Sequence, residues 1–283
     1  MTKAPNKAAD GEWATTERPG LRTLSIDVGG TGVKASILDG VGRMIVPRLR
    51  VPTPNPCPPA ALLQACAGLR SQLPSFDRIS IGFPGVVRDG HVLTAPHFDA
   101  QAWQDYPLAA AVARRFGKPA RLLNDAEVQG LGIIARRGLE VVLTLGTGVG
   151  SAVFGNGRLA PHLELAHHPI HKHKTYNDYI GNEARRALSA KKWSRRVGKT
   201  IDIVHSLLHY DVLYLGGGNA AHFALPLPDK VRLASNDAGI TGGIHLWDED
   251  VWESVGDRSE PHPGKKASAS RPGPRAERAA AQR

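Results

Sequence analysis

Cysteine is scarce in this chain: Cys57 and Cys66 are the only two among 283 residues. Two thiols exclude a disulfide framework and any zinc site built from four thiolates. Aromatic residues are also few, at 6%. No run of about 18 apolar residues occurs, so no membrane-spanning helix is expected. The first twenty residues lack the apolar core of a signal peptide, and a cytoplasmic protein is the expectation. Acidic residues are outnumbered, 26 against 36 basic ones, for a formal net charge of +10.

What is present is ordinary globular material, 41% hydrophobic and 22% charged. The length suggests about two domains at roughly 150 residues each. Part of the positive charge lies in a tail, residues 254–283, rich in proline, serine and alanine and without apolar periodicity. That tail reads as disordered. The organisation expected is a polar lead-in at 1–20, an α/β lobe at 21–120, a second at 121–253 and the basic tail. A last helix of the second lobe would pack on the first.

Periodicity and turn chemistry outline alternating strands and helices. Strands are expected at Leu24–Val28, Val33–Leu38 and Arg43–Val51, followed by a Pro-rich link and a helix at about Ala60–Leu73. A buried strand at Arg78–Gly82 and a helix at Pro107–Phe116 come next. Beyond Pro119, a short strand at Arg121–Leu123 ends in Asn124-Asp125 and opens a helix reaching about Arg137. Strands Val141–Leu145 and Ser151–Phe154 flank a glycine turn, Asn156-Gly157 signals a hairpin, and Leu159–Leu163 continues the sheet. Helices at about Asn177–Lys192 and Lys199–His209 precede strands at Val212–Leu215 and Val231–Ala234.

One detail repeats. Gly-Thr-Gly-Val occurs at Gly30–Val33 and again at Gly146–Val149, each time between two apolar strands. The same tetrapeptide in the same setting suggests a duplicated lobe with a ligand cleft between the copies. A strand–glycine turn–strand presents unobstructed backbone N–H groups, a concave anion site. Asp27 precedes the first turn, where a carboxylate can orient a metal ion and its waters. Thr31 and Thr147 add hydroxyls and Lys34 a point charge. Either turn alone also reads as a tight turn with no ligand.

Asp125 stands where a buried strand gives way to a helix, which exposes a side chain at the top of a sheet. It reads equally as a helix N-cap. A phosphoryl-transfer enzyme needs a carboxylate in such a place to accept the proton of an attacking hydroxyl. Asn124 offers a donor and an acceptor to a polyol. The stretch from His162 to Lys174 holds five histidines, but its lysines and lack of cysteine argue against zinc. Glu164 and His167, three apart, can meet on one side of a helical turn and bind adjacent sugar hydroxyls.

In order along the chain, DVGGTGVK (27–34), GFPGVV (82–87), LNDAE (123–127), LTLGTGVGSA (143–152), ELAHH (164–168) and LYLGGGN (213–219) resemble the ROK-family sugar kinases. The Gly-Val-Lys ending of the first motif resembles the polyphosphate glucokinase branch in particular. The resemblance implies an α/β, two-lobed, actin-like ATPase (ribonuclease H-like) fold with a cleft between the lobes. It implies phosphoryl transfer to the 6-hydroxyl of glucose or a related hexose, from inorganic polyphosphate, ATP or both. Asp125 would be the base, and Asn124, Asp125, Glu164 and His167 would hold the sugar. Asp27, Gly29, Gly30, Thr31, Gly32 and Lys34 would meet the donor phosphates, as would Gly146, Thr147 and Gly148. Gly216, Gly217 and Gly218 would lie where a nucleotide's adenosine rests. Mg²⁺ would sit near Asp27, held through water. The family's cysteine-rich zinc cassette is absent, so no structural zinc is expected. Two departures touch the sugar end: Ala166 replaces the glycine of the usual ELGH, and His97 stands where the family commonly has asparagine.

A further run, Arg185, Arg186, Lys191, Lys192, Arg195, Arg196 and Lys199 against Glu183 alone, carries a local charge of +6. In one continuous helix, Arg185, Lys192 and Arg196 would share a face, either solvated or a lane for a polyanion. The rival readings are a strictly ATP-dependent hexokinase, a non-catalytic sugar-binding protein and a nucleic-acid binder. Residues 1–20 are too few and too polar for a DNA-binding helix-turn-helix, and the basic stretches carry a single aromatic, Trp193. The partners expected are a hexose and a polyphosphate or nucleotide, with no nucleic acid, no membrane and a homodimer as the assembly.

Overall fold

A computed structural model describes residues 20–235 and 237–252. The lead-in and the basic tail therefore lie outside the described residues. The first half comprises β1 (Thr23–Val28), β2 (Val33–Leu38), β3 (Leu49–Val51), α1 (Pro59–Arg70), β4 (Arg78–Phe83), β5 (Val87–Arg88), β6 (His91–Val92), α2 (Ala100–Trp103), α3 (Leu108–Phe116) and β7 (Ala120–Asn124). Next come α4 (Asp125–Leu131), β8 (Leu139–Leu145), β9 (Val149–Gly155), β10 (Arg158–Leu159), β11 (Pro169–His171) and β12 (Lys174–Thr175). The chain continues through α5 (Tyr176–Ile180), α6 (Asn182–Ala187), α7 (Ala190–Leu208), β13 (Val212–Gly216), β14 (Val231–Leu233) and α8 (Ala238–Thr241).

Two five-stranded sheets share one plan. The first runs β3-β2-β1-β4-β7 and the second β10-β9-β8-β13-β14. In each, an antiparallel trio formed by hairpins is extended by two parallel strands. The matched order is the structural form of the Gly-Thr-Gly-Val repeat. Strands that lie between neighbours are covered on both faces, one face apolar and the other carrying small polar residues such as Ser25 and Ser80, and all six residues of β4 are buried. Each sheet has its own core, with Ile26, Ile81, Leu62 and Trp103 in the first and Val141, Leu215, Trp193 and Ile201 in the second. Among the described residues no helix is long and apolar enough to cross a membrane.

The C-terminal segment returns to the first sheet. Ser25 Oγ donates to the Ile240 carbonyl at 2.7 Å, and Ser80 Oγ to the Gly243 carbonyl at 2.6 Å. The approach demands glycine: a Cβ at Gly242 would stand 1.9 Å from the Val128 carbonyl oxygen on α4.

Several expectations change. The strand at Ala120–Asn124 joins the first sheet beside β4, so the chain leaves that sheet after Asn124 and not at 120. The third strand starts at Leu49, because residues 39–45 fold into a turn closed by Asp39 N–H to Arg43 O, and Pro47 lacks a ladder donor. The helix after Asn124 ends at Leu131, well short of Arg137. Beyond it the buried Glu140 carboxylate takes the N–H groups of Ala135 and Arg137. Only Arg158–Leu159 extends the second sheet, since Pro161 interrupts the run.

The basic stretch is not one helix. Gly181 and Leu188 are extended, so α6 ends before Ser189 caps the nineteen-residue α7. Arg185 therefore shares no helix face with Lys192 and Arg196. Arg196 is folded inward, its guanidinium 4.7 Å from the Tyr179 ring centroid and donating to the Tyr179 carbonyl. The shared-face lane does not exist.

Candidate active site

The two glycine turns meet. In the first, Gly29 N–H donates to the Gly32 carbonyl at 3.0 Å; in the second, Gly146 N–H donates to the Gly148 carbonyl at 2.9 Å. A Cβ built on Gly30 would lie 3.5 Å from the Thr147 side chain, so the turns approach within van der Waals distance. Neighbours hold each turn. Thr53 Oγ1 donates to the Gly29 carbonyl, Arg50 to the Thr31 carbonyl and Asn219 to the Gly146 carbonyl. Val149 N–H donates to Asn177 Oδ1 at 2.7 Å.

Beside them opens a cleft of about 490 Å³. Every residue expected to meet the sugar or the donor phosphates lines it except Gly216, which lies under the Gln129 amide. Gly217 has a second role: at φ +80°, a Cβ there would stand 2.5 Å from the Leu145 carbonyl oxygen. It lets β13 close against β8 while Gly218 stays at the cleft.

The N-cap of α4 is Asn124, not Asp125. Ala126 N–H donates to Asn124 Oδ1 at 2.9 Å, Asn124 N–H donates to Glu127 Oε2 at 3.1 Å, and Asn124 Nδ2 donates to the Gly85 carbonyl. This capping box satisfies the helix end and leaves Asp125, in the first turn, to face the cleft. Burial pushes the Asp125 carboxyl up to about 7, helped most by the Asp27 charge and then by Glu127 and Glu164, with Ala126 N–H opposing. A carboxyl with a pKa near neutrality suits a general base. Asp27 itself pairs with Lys34, Nζ to Oδ2, at 2.9 Å.

Glu164, which also lines the cleft, accepts Ala166 N–H through Oε1 at 3.0 Å. Burial favours the neutral acid, but bonds from His162 and Ala166 hold Glu164 below the usual range. His97 also lines the cleft; burial and then the His167 charge hold its pKa down.

Sequence reasoning missed several lining residues. Arg48 and Arg50 come from β3 and the turn before it, and their only signal was basicity facing the first turn. Arg186 was noted within the basic run and is the member of that run at the cleft. His162 was noted only within the histidine cluster, and it bonds both Glu127 and Glu164.

The ROK family model matches residues 23–164. The polyphosphate glucokinase of Mycobacterium tuberculosis (strain ATCC 25618 / H37Rv) is 31% identical over 265 aligned positions, covering 86% of this chain and 96% of that protein. The chain belongs to the ROK family. The Mycobacterium leprae (strain TN) polyphosphate glucokinase is 29% identical over 81% of this chain and 76% of its own length. Among solved structures, the inorganic polyphosphate/ATP-glucomannokinase of Arthrobacter sp. strain KM superposes with a TM-score of 0.73 at 30% identity, covering 80% of this chain and 97% of that one. A ROK family glucokinase from Streptomyces griseus, solved with glucose and AMPPNP, shares the fold at a TM-score of 0.68 and 20% identity over 80% of this chain and 98% of its own. The two like-ordered sheets around a cleft are thus the actin-like ATPase fold of ROK kinases.

Proposed function

We propose that this ROK sugar kinase transfers a phosphoryl group from inorganic polyphosphate, ATP or both to the 6-hydroxyl of glucose or a closely related hexose. The observation that carries the reading is the junction of the two glycine turns beside Asp125, a partly buried carboxyl with a pKa raised to about 7 at the start of a capped helix. The hexose lies between Asn124, Asp125, Glu164 and His167. Asp125 takes the proton as the 6-hydroxyl attacks in line. Backbone N–H groups of the Gly29–Gly32 and Gly146–Gly148 turns, with Lys34, neutralise charge on the transferred group. Closure of the two sheets over the cleft excludes water and suppresses hydrolysis.

The site fits a bound Mg²⁺. Among the described residues no group of three or more His, Cys, Asp and Glu forms a protein cage for a metal. An Mg²⁺ needs less, since one carboxylate, waters and substrate phosphates hold it. Asp27, at the cleft beside the first turn, is the carboxylate that would orient its waters, and the ion would supply charge neutralisation to the donor phosphates.

Polyphosphate is favoured by the relatives named for it and by the cations at the donor end. Arg48, Arg50 and Arg186 join Lys34 along the cleft, more positive charge than the turns alone offer to a nucleotide. A coupled assay for glucose 6-phosphate, comparing ATP with long polyphosphate across several hexoses, tests the reading. Turnover with ATP and none with polyphosphate would remove the polyphosphate part; no hexose phosphorylated with either donor would remove the whole.

A further inference from the structure

We propose that His162 is a positioning residue for sugar phosphorylation: a two-ended strut that fixes Glu127, on the helix carrying Asp125, relative to Glu164 on the facing loop. The inference rests on the sugar-kinase reading above.

The geometry is reciprocal. His162 Nδ1 lies 2.7 Å from Glu127 Oε1, and Nε2 lies 3.4 Å from Glu164 Oε2. Each carboxylate has already given its other oxygen to a backbone N–H: Glu127 Oε2 to Asn124 and Glu164 Oε1 to Ala166. One imidazole therefore ties together two anchored carboxylates, one closing the N-terminus of α4 and the other at the sugar end. Both ring nitrogens can donate only in the imidazolium; a neutral ring would turn a lone pair on one carboxylate. Burial alone would lower the His162 pKa, but bonds and charge from Glu127 and Glu164 prevail and push it up to about 9. The side chain is only 14% exposed, so the pair is little screened.

The charges around it explain why a cation is needed. The charges of Asp27, Glu127 and Glu164 all act on Asp125. Lys34 offsets Asp27 at the donor end, and His162 offsets Glu127 and Glu164 at the sugar end, where His97 and His167 also face Glu164. Without the ring, Glu127 and Glu164 would repel, loosening both the seat of Asp125 and the hydroxyl-binding carboxylate. A misplacement of about 1 Å in such a group can cost roughly a hundredfold in rate.

The test compares wild type with His162→Ala, His162→Gln and Glu127→Gln, varying hexose at saturating donor and the reverse, with Tm measured for each. His162→Ala is expected to raise the hexose KM roughly tenfold or more and lower kcat about tenfold, leaving the donor KM unchanged. His162→Gln, whose amide reaches the Nε2 end, should recover part of the hexose KM and little of kcat. Glu127→Gln, which loosens the other end, should lower kcat with little change in hexose KM. If His162→Ala does not fold, the two conservative variants carry the same split. Unchanged kinetics, or equal rises in both KM values tracking a lower Tm, would overturn the strut. An inactive wild type would remove the sugar-kinase reading and this inference with it; an active wild type with unaffected variants would overturn this inference alone.

Discussion

Lys34 and Asp27 are cross-strand partners at the mouth of the first glycine turn, with Nζ 2.9 Å from Oδ2. The pairing keeps a cation at the first glycine turn and partly neutralises the carboxylate whose charge acts on Asp125. Replacing Lys34 by Met should therefore cost about 10²-fold in kcat/KM with ATP and polyphosphate alike. Asp27→Asn should also lower turnover, but with a distinct signature. The Asp27 charge helps raise the Asp125 pKa, so its removal should move the acid limb of the kcat/KM profile to lower pH. A pH–rate series on both variants checks the two effects.

Asp125→Asn should cut turnover by about 10²–10⁴-fold while hexose affinity, measured calorimetrically, stays within roughly tenfold. The wild-type acid limb of kcat/KM should lie near pH 7, because the base must lose its proton to work. Stability gives an independent check. A carboxyl raised from 3.8 to about 7 on folding favours the folded state below its unfolded pKa, and that contribution is lost as pH rises through the folded value. The uncharged Asn has no such dependence. The variant's Tm advantage should grow from about pH 4 to pH 7 and then level off.

Much of the fold was legible because its signals are local. β1, β2, β4, α3 and the turns between strands follow from apolar runs punctuated by glycine, and the repeated Gly-Thr-Gly-Val foretold two sheets of one plan. The two glycine turns at the cleft were legible for the same reason. What was not legible depends on contacts and backbone changes that composition and periodicity do not announce. Glu140, not a local stop signal, organises the chain beyond α4 by capturing two backbone N–H groups. The α6–α7 break arises where Leu188 adopts extended backbone and Ser189 caps α7, which periodicity in a basic run does not betray. His162 could not be told from its neighbouring histidines, because its meaning lies in Glu127, 35 residues earlier.

The return of the C-terminal segment to α4 offers a structural prediction. A methyl at Gly242 would meet the Val128 carbonyl oxygen at 1.9 Å, a backbone atom that cannot swing aside. Gly242→Ala should destabilise the fold by about 1–3 kcal/mol or more, as overpacking does. Since α4 begins at Asp125, kcat should fall too, whereas Gly198→Ala, on α7 with nothing near its built Cβ, should not lower Tm. Denaturant midpoints and kcat measured together test the link.

The donor end yields the last prediction. Polyphosphate is charged along its length and can engage cations beyond the glycine turns, whereas ATP reaches fewer of them. Arg48 and Arg186 line the cleft without bonding either turn in the contacts described, while Arg50 donates to the Thr31 carbonyl and covers Gly32. Arg48→Gln and Arg186→Gln should therefore raise the KM for long polyphosphate several-fold and leave that for ATP nearly unchanged. Arg50→Gln should weaken both donors, because it loosens the turn they share. Lys192→Gln, on the exposed face of α7 and not at the cleft, should change neither. Each lost phosphate contact should also flatten the salt dependence of the polyphosphate reaction, by about 0.7 in the log–log slope if it behaves like a single-stranded polyanion. Equal effects of Arg186→Gln on both donors would assign that arginine to the shared turns and not to a polyphosphate lane.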